Sequence, residues 1–85
     1  VDTIYGGDGN DFLYGGNGND TMYGGHGPLD TDATDNNDTM YGGAGDDTMN
    51  GTAGNDAIYG EAGNDIIGGG LGDDLLDGGD NNDDI

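Results

Sequence analysis

The chain has 85 residues, of which 22 are glycine, 19 are acidic and none is Lys or Arg, so its formal charge at pH 7 is -19. At 29% hydrophobic residues it is too polar and too charged for an ordinary globular core. With no Lys or Arg the chain repels nucleic acid and anionic membranes and forms no Lys/Arg ion pair, and with no Cys it forms no disulfide.

From the first residues onward the chain repeats every nine positions. Asp recurs as Asp2, Asp11, Asp20, Asp38, Asp47, Asp56, Asp65, Asp74 and Asp83. Two residues after each comes an apolar side chain: Ile4, Leu13, Met22, Met40, Met49, Ile58, Ile67, Leu76 and Ile85. The first unit, Thr3-Ile4-Tyr5, reads as a short strand with its centre inward and its neighbours outward. A glycine-rich turn precedes the later Asp residues, as in GGDGND (6–11) and GGNGND (15–20). The residue just before the Asp is Asn or Asp (Asn10, Asn19, Asn37, Asp46, Asn55, Asn64, Asp73, Asn82), types that tolerate left-handed geometry and bond to nearby backbone.

The phase is interrupted at 24–41, GGHGPLDTDATDNNDTMY, where only one good motif falls in the space of two. It resumes with GGAGDD (42–47), then GTAGND (51–56) and GEAGND (60–65), in which Thr52 and Glu61 replace the second glycine. GGLGDD (69–74) follows, and GGDNND (78–83) has Asn81 at the fourth position. No apolar run approaches the length of a membrane span, and no leader peptide is expected at the start.

The consensus GGxGxDxUx, with U a large apolar residue, resembles the RTX (repeats-in-toxin) nonapeptide family over nearly the whole chain. The resemblance implies an all-β fold, a parallel β-roll that is a right-handed β-solenoid. Two nonapeptides would make one 18-residue coil, with calcium ions between stacked turns and residues 1–85 as one array. One strand and turn cannot bury its single aliphatic residue, but stacked copies bury a continuous column. Motif carboxylates roughly 4.8 Å apart along such a stack repel one another until a dication lies between them. Calcium suits oxygen ligands in forgiving geometry, whereas magnesium demands a tighter octahedron and zinc prefers N and S donors.

The ligands implied are the side chains of the nine Asp residues above and backbone carbonyls of the turn glycines. Those glycines are Gly7, Gly9, Gly16, Gly18, Gly25, Gly27, Gly43, Gly45, Gly54, Gly63, Gly70, Gly72 and Gly79. Nine positions paired with their second neighbours give about seven ions.

For 28–36 two arrangements stay open: a nine-residue bulge from one enlarged turn, or a degenerate half-coil with Leu29 and Thr31 at the Asp and aliphatic positions. Tyr5, Tyr23, Tyr41 and Tyr59 are spaced by 18 residues, as are Thr3, Thr21 and Thr39. An unbroken Thr/Tyr ladder on one sheet therefore favours the half-coil. Asp30, Asp32 and Asp35 form an acidic loop without the full EF-hand pattern, and His26 reads as an exposed turn residue.

Catalysis is not expected, because Ser, Cys, Lys and Arg are all absent and a narrow roll has no interior pocket. The expected function is a calcium-binding structural module of a secreted or cell-surface protein, folding on calcium binding outside the cell. Its expected partners are calcium and flanking domains or further copies, since repeat arrays need caps. The chain is accordingly expected to be a fragment of a larger protein. Lateral assembly into a filament or surface layer through the uncharged Thr/Tyr face is the alternative. Polysaccharide or mineral binding is a weaker one, and ice binding is disfavoured because the third turn position varies from Asp8 to Leu71.

Overall fold

Three-residue units with one inward aliphatic side chain are too short to be stable alone, and they gain stability by stacking into sheets. In the computed structural model, residues 1–27 and 37–85 are described. They form strands β1 (Thr3–Tyr5), β2 (Phe12–Asn17), β3 (Thr21–Tyr23), β4 (Thr39–Ala44), β5 (Thr48–Asn50), β6 (Ala57–Ala62), β7 (Ile66–Gly68) and β8 (Leu75–Asp77). The strands alternate between two four-stranded sheets, ordered β1-β3-β5-β7 and β2-β4-β6-β8, and every pairing is parallel. This is the parallel β-roll expected from the repeat.

The inward positions meet as planned by the period-2 pleat. Ile4, Met22, Met49 and Ile67 are in register on one sheet, and Leu13, Met40, Ile58 and Leu76 on the other. Between the sheets, Leu13, Met22, Met40, Met49, Ile58 and Ile67 form a single buried cluster, against which Ile4 and Leu76 pack half-buried. Burying each such side chain contributes about 1.5–3 kcal/mol.

The register corrects the reading favoured for 24–41. Phe12-Leu13-Tyr14 pairs with Thr39-Met40-Tyr41, and Thr21-Met22-Tyr23 pairs with Thr48-Met49-Asn50. Both offsets are 27 residues, so one coil carries nine more residues than the 18 separating Thr39 from Ala57. The Thr/Tyr ladder is consequently split: Tyr5 and Tyr23 stack on one sheet, while Tyr14, Tyr41 and Tyr59 stack on the other. The arrangement of 28–36, with Leu29, Thr31, Asp30, Asp32 and Asp35, lies outside the described residues.

Turns connect the sheets along two edges. One edge holds the turns 6–11, 51–56 and 69–74 together with residues 24–27 and 37–38, and the other holds 15–20, 42–47, 60–65 and 78–83. In each regular turn the second and fourth positions have positive φ, as at Gly43 (98°) and Gly45 (128°). Glycine is needed there for a second reason: a Cβ on either would strike the carbonyl oxygen of Gly16 or Gly18 in the adjacent coil. Thr52, Glu61 and Asn81 hold the same left-handed geometry with side chains, at φ 74°, 75° and 76°.

Candidate metal centre

The nine-residue phase places the motif Asp residues at the last position of each turn, where the chain re-enters a strand. Asp11, Asp38, Asp56 and Asp74 line one edge; Asp2, Asp20, Asp47, Asp65 and Asp83 line the other. Asp20, Asp38, Asp47, Asp56 and Asp65 are almost wholly buried, although no cationic side chain exists to accompany them. Asp11, Asp74 and Asp83 are partly covered and Asp2 is exposed.

Each of these carboxylates divides its two oxygens between different tasks. The Oδ1 atoms accept a backbone N–H from the motif Asp one coil earlier: Asp2 donates to Asp20, Asp20 to Asp47, Asp47 to Asp65 and Asp65 to Asp83, all at 2.8–2.9 Å. On the other edge Asp11 donates to Asp38, Asp38 to Asp56 and Asp56 to Asp74 over the same distances. The Oδ2 atoms of Asp11, Asp20, Asp38, Asp47, Asp56 and Asp65 are buried with no hydrogen-bond partner. A buried charged oxygen left unpaired is costly unless positive charge accompanies it.

The surroundings of that oxygen are small and oxygen-lined. A Cβ placed on Gly42 would lie 2.5 Å from Asp47 Oδ2 and 2.7 Å from the carbonyl oxygen of Gly60, one coil on. Gly15 offers the same space between Asp20 Oδ2 and the carbonyl of Gly42, and Gly24, Gly51 and Gly60 repeat the pattern. Gly24 does so with Asp38 and the Gly51 carbonyl. Among the described residues no three His, Cys, Asp or Glu side chains gather at metal-ligand spacing. The oxygens that meet at this position are one carboxylate and one backbone carbonyl, donor types that calcium accepts.

Burial also acts on proton affinity. It is the largest cause raising the carboxyl pKa values of Asp38, Asp47, Asp56 and Asp65 above 3.8, and it carries Asp56 to about 6. Backbone hydrogen bonds to the carboxylates oppose the shift, and repulsion by the neighbouring motif Asp residues adds to it, as Asp38 and Asp74 do at Asp56. Burial and like-charge repulsion thus disfavour the ionised carboxylates, while the backbone hydrogen bonds favour them.

Sequence reasoning named the second- and fourth-position glycines as carbonyl donors. Among them, Gly7, Gly9, Gly16, Gly18, Gly27, Gly43, Gly45, Gly54, Gly63, Gly70, Gly72 and Gly79 supply the positive-φ bends, while the Gly25 carbonyl accepts the Gly7 N–H at 3.1 Å. It overlooked the first-position glycines, which flank the orphaned oxygens. A signal was present: that position is glycine in every turn, even where Thr52 or Glu61 replaces the second.

The residue before the motif Asp bonds to backbone, as expected of Asn and Asp, though to backbone one coil away, and it does not adopt positive φ. Its Oδ1 accepts the backbone N–H of its counterpart one coil later, from Asn37 to Asn10, Asn55 to Asn37 and Asp73 to Asn55 on one edge. On the other edge the series runs from Asp46 to Asn19, Asn64 to Asp46 and Asn82 to Asn64. Adjacent positions thus clamp successive coils in opposite directions. His26 is exposed, as expected, with Nε2 2.7 Å from Asp8 Oδ1.

The profile of the RTX calcium-binding nonapeptide repeat matches residues 1–27, 32–67 and 59–85, in 4 copies. The chain belongs to that family. Comparison with curated proteins and with solved structures gave no match. RTX repeats are calcium-binding structural units, and the all-strand roll of two parallel sheets is consistent with such a repeat. No helix among the described residues is long and apolar enough to cross a membrane.

Proposed function

We propose that this RTX array is a calcium-folded structural module of a secreted or cell-surface protein, with no catalytic activity of its own. The observation that carries the reading is the set of buried Oδ2 atoms without partners on Asp11, Asp20, Asp38, Asp47, Asp56 and Asp65. Asp20, Asp38, Asp47, Asp56 and Asp65 each have a regular turn one coil further on, and the Asp11 Oδ2 lies with the Gly24 carbonyl beside Gly6, which makes six candidate sites. The count of about seven expected from the Asp spacing included Asp2, which has no glycine turn of its own within residues 1–85.

The motif Asp side chains and the carbonyls of the turns above and below would hold the ions; a bound dication supplies the positive charge that the chain lacks. Without it, stacking brings carboxylates together in a poorly solvated edge and opposes the gain from the apolar column. Binding and folding then become one event. Extracellular calcium modules work at ~10⁻⁴ to 10⁻³ M, so the chain would remain open in calcium-poor cytosol and close after export.

Titration with Ca²⁺ and separately with Mg²⁺, followed by far-UV circular dichroism and sedimentation, tests this. A cooperative coil-to-β transition with Ca²⁺ alone is expected. A β-roll spectrum already present in metal-free solution near neutral pH would overturn the coupling.

A second reading, lateral assembly into a filament or surface layer, draws on the outward face of β2-β4-β6-β8. That face carries Phe12, Tyr14, Tyr41 and Tyr59 on a chain that is otherwise strongly acidic. It predicts a rise in sedimenting mass together with the β transition.

A further inference from the structure

The five tyrosines occupy outward strand positions and stack in rows. Tyr14 and Tyr41 have ring centroids 5.0 Å apart with an interplanar angle of 17°, and Tyr41 and Tyr59 are 5.0 Å apart at 14°. Tyr5 and Tyr23 are 5.4 Å apart at 13° on the other sheet. Phe12 leans against both Tyr14 and Tyr41 at 5.4 Å. Because the ring faces are turned toward each other, the rows expose ring edges and phenolic groups, not the open faces on which a sugar would stack.

Parallel in-register strands make neighbouring tyrosines translational copies, so equivalent atoms lie roughly one strand spacing, 4.8 Å, apart. The carbon ortho to one hydroxyl therefore faces the ortho carbon of the next ring. Tyr5 and Tyr14 are 53% and 59% exposed, and exposed side chains reorient within nanoseconds.

The same chain offers an oxidant few competing targets. It has no Cys and no Trp, and its three methionines, Met22, Met40 and Met49, are buried to within 1%. Sulfur and indole are the usual sinks for oxidising equivalents; here the accessible electron-rich groups are the stacked phenols.

We propose that Tyr14–Tyr41–Tyr59 and Tyr5–Tyr23 are oxidative cross-linking sites, at which a peroxide-driven one-electron oxidant joins phenols of successive coils. Each of two neighbouring phenols loses one electron and its phenolic proton. The radicals couple through their ortho carbons, and each of those carbons then releases its hydrogen as a proton while the oxygens regain theirs. One C–C bond forms, two hydrogens are lost, and one hydrogen peroxide is reduced to two waters.

Specificity comes from the fold, since Tyr14 and Tyr41 are separated by 27 residues of a self-repelling chain until β2 pairs with β4. The inference rests on strand register and goes beyond the calcium reading.

The full chain, in calcium and checked by circular dichroism, is treated with a haem peroxidase and hydrogen peroxide. It is then cleaved before Asp, because trypsin has no Lys or Arg to cut, and cross-links are mapped by mass spectrometry. Intramolecular Tyr14–Tyr41, Tyr41–Tyr59 and Tyr5–Tyr23 links are expected in clear excess over unstacked pairs such as Tyr5–Tyr14. Tyr41→Phe should abolish the first two and leave Tyr5–Tyr23 intact. A β spectrum with equal yields at stacked and unstacked pairs, or with links only between molecules, overturns the proposal alone. A chain with no β spectrum in calcium and no stacked-pair preference overturns it together with the calcium reading.

Discussion

The apolar column between the two sheets and the two turn edges run the same length of the roll in opposite states. Met22, Met40, Met49 and Ile58 fill the column and are sealed from water, each in register with a partner above and below. The edges bury carboxylates just as deeply, yet leave one oxygen of each unpaired. The column is complete as a protein structure; in the proposed reading a cation completes the edges. In the proposed reading stability and control are separated, because the column favours the roll at any calcium level and the edges decide whether it forms.

Withdrawing calcium should break the comparison most severely. Chelation near neutral pH is expected to remove the β spectrum entirely, as the edges then hold adjacent uncompensated charges. Acidification should follow, because it acts on several sites at once. Asp38, Asp47, Asp56 and Asp65 have raised pKa values in the metal-free roll, Asp56 about 6 against an ordinary 3.8. The folded metal-free chain therefore binds more protons than the unfolded one. Its stabilisation by protonation is full below 3.8 and lost as pH rises through about 6. Calcium needs the ionised carboxylates and responds with the opposite sign. The chelated chain should show more β signal at about pH 4 than at neutral pH, and the calcium midpoint of folding should rise on acidification below about 6.

Single substitutions sharpen the contrast. Met49→Ala should destabilise the calcium-loaded roll by about 2–5 kcal/mol, read by denaturant titration at saturating calcium, with the remaining sites still binding. At the edge, Asp47→Asn retains an oxygen for the Asp20 N–H while discarding the charge. Asp47→Ala removes both, and should be less stable than Asp47→Asn by about 1–3 kcal/mol, the cost of a buried unpaired N–H. Equal stabilities would show that the ladder bond contributes nothing apart from the cation. Thr52→Gly should give the smallest change, a stabilisation of about 1 kcal/mol in thermal melts, because a β-branched residue there holds φ 74°.

The column and the Asp edges were legible in the sequence because each depends only on the nine-residue phase. The register across 24–41 was not, and the reason lies in the near-equivalence of the two half-coils. A shift of nine residues moves a strand from one sheet to the other and still leaves the aliphatic residue inward. Thr39-Met40-Tyr41 can stack on Thr21-Met22-Tyr23 or on Phe12-Leu13-Tyr14, and both choices match Met or Leu inside and Tyr outside. The structure takes the second, where Tyr14 and Phe12 receive Tyr41. The ladder through Asn10, Asn37 and Asn55 was equally hidden, because each link joins a backbone N–H to a side-chain Oδ1 that lies 18 or 27 positions away in the chain.

One coil holds 27 residues where its neighbours hold 18, and the strands on both sides of it pair as regularly as elsewhere. Stacking of identical positions, not chain length, sets the alignment there. Closing a longer loop costs only about 0.6 kcal/mol per doubling. A coil of unequal length thus leaves the register on either side intact, and an epitope or affinity peptide could be exchanged into that coil without disturbing its neighbours.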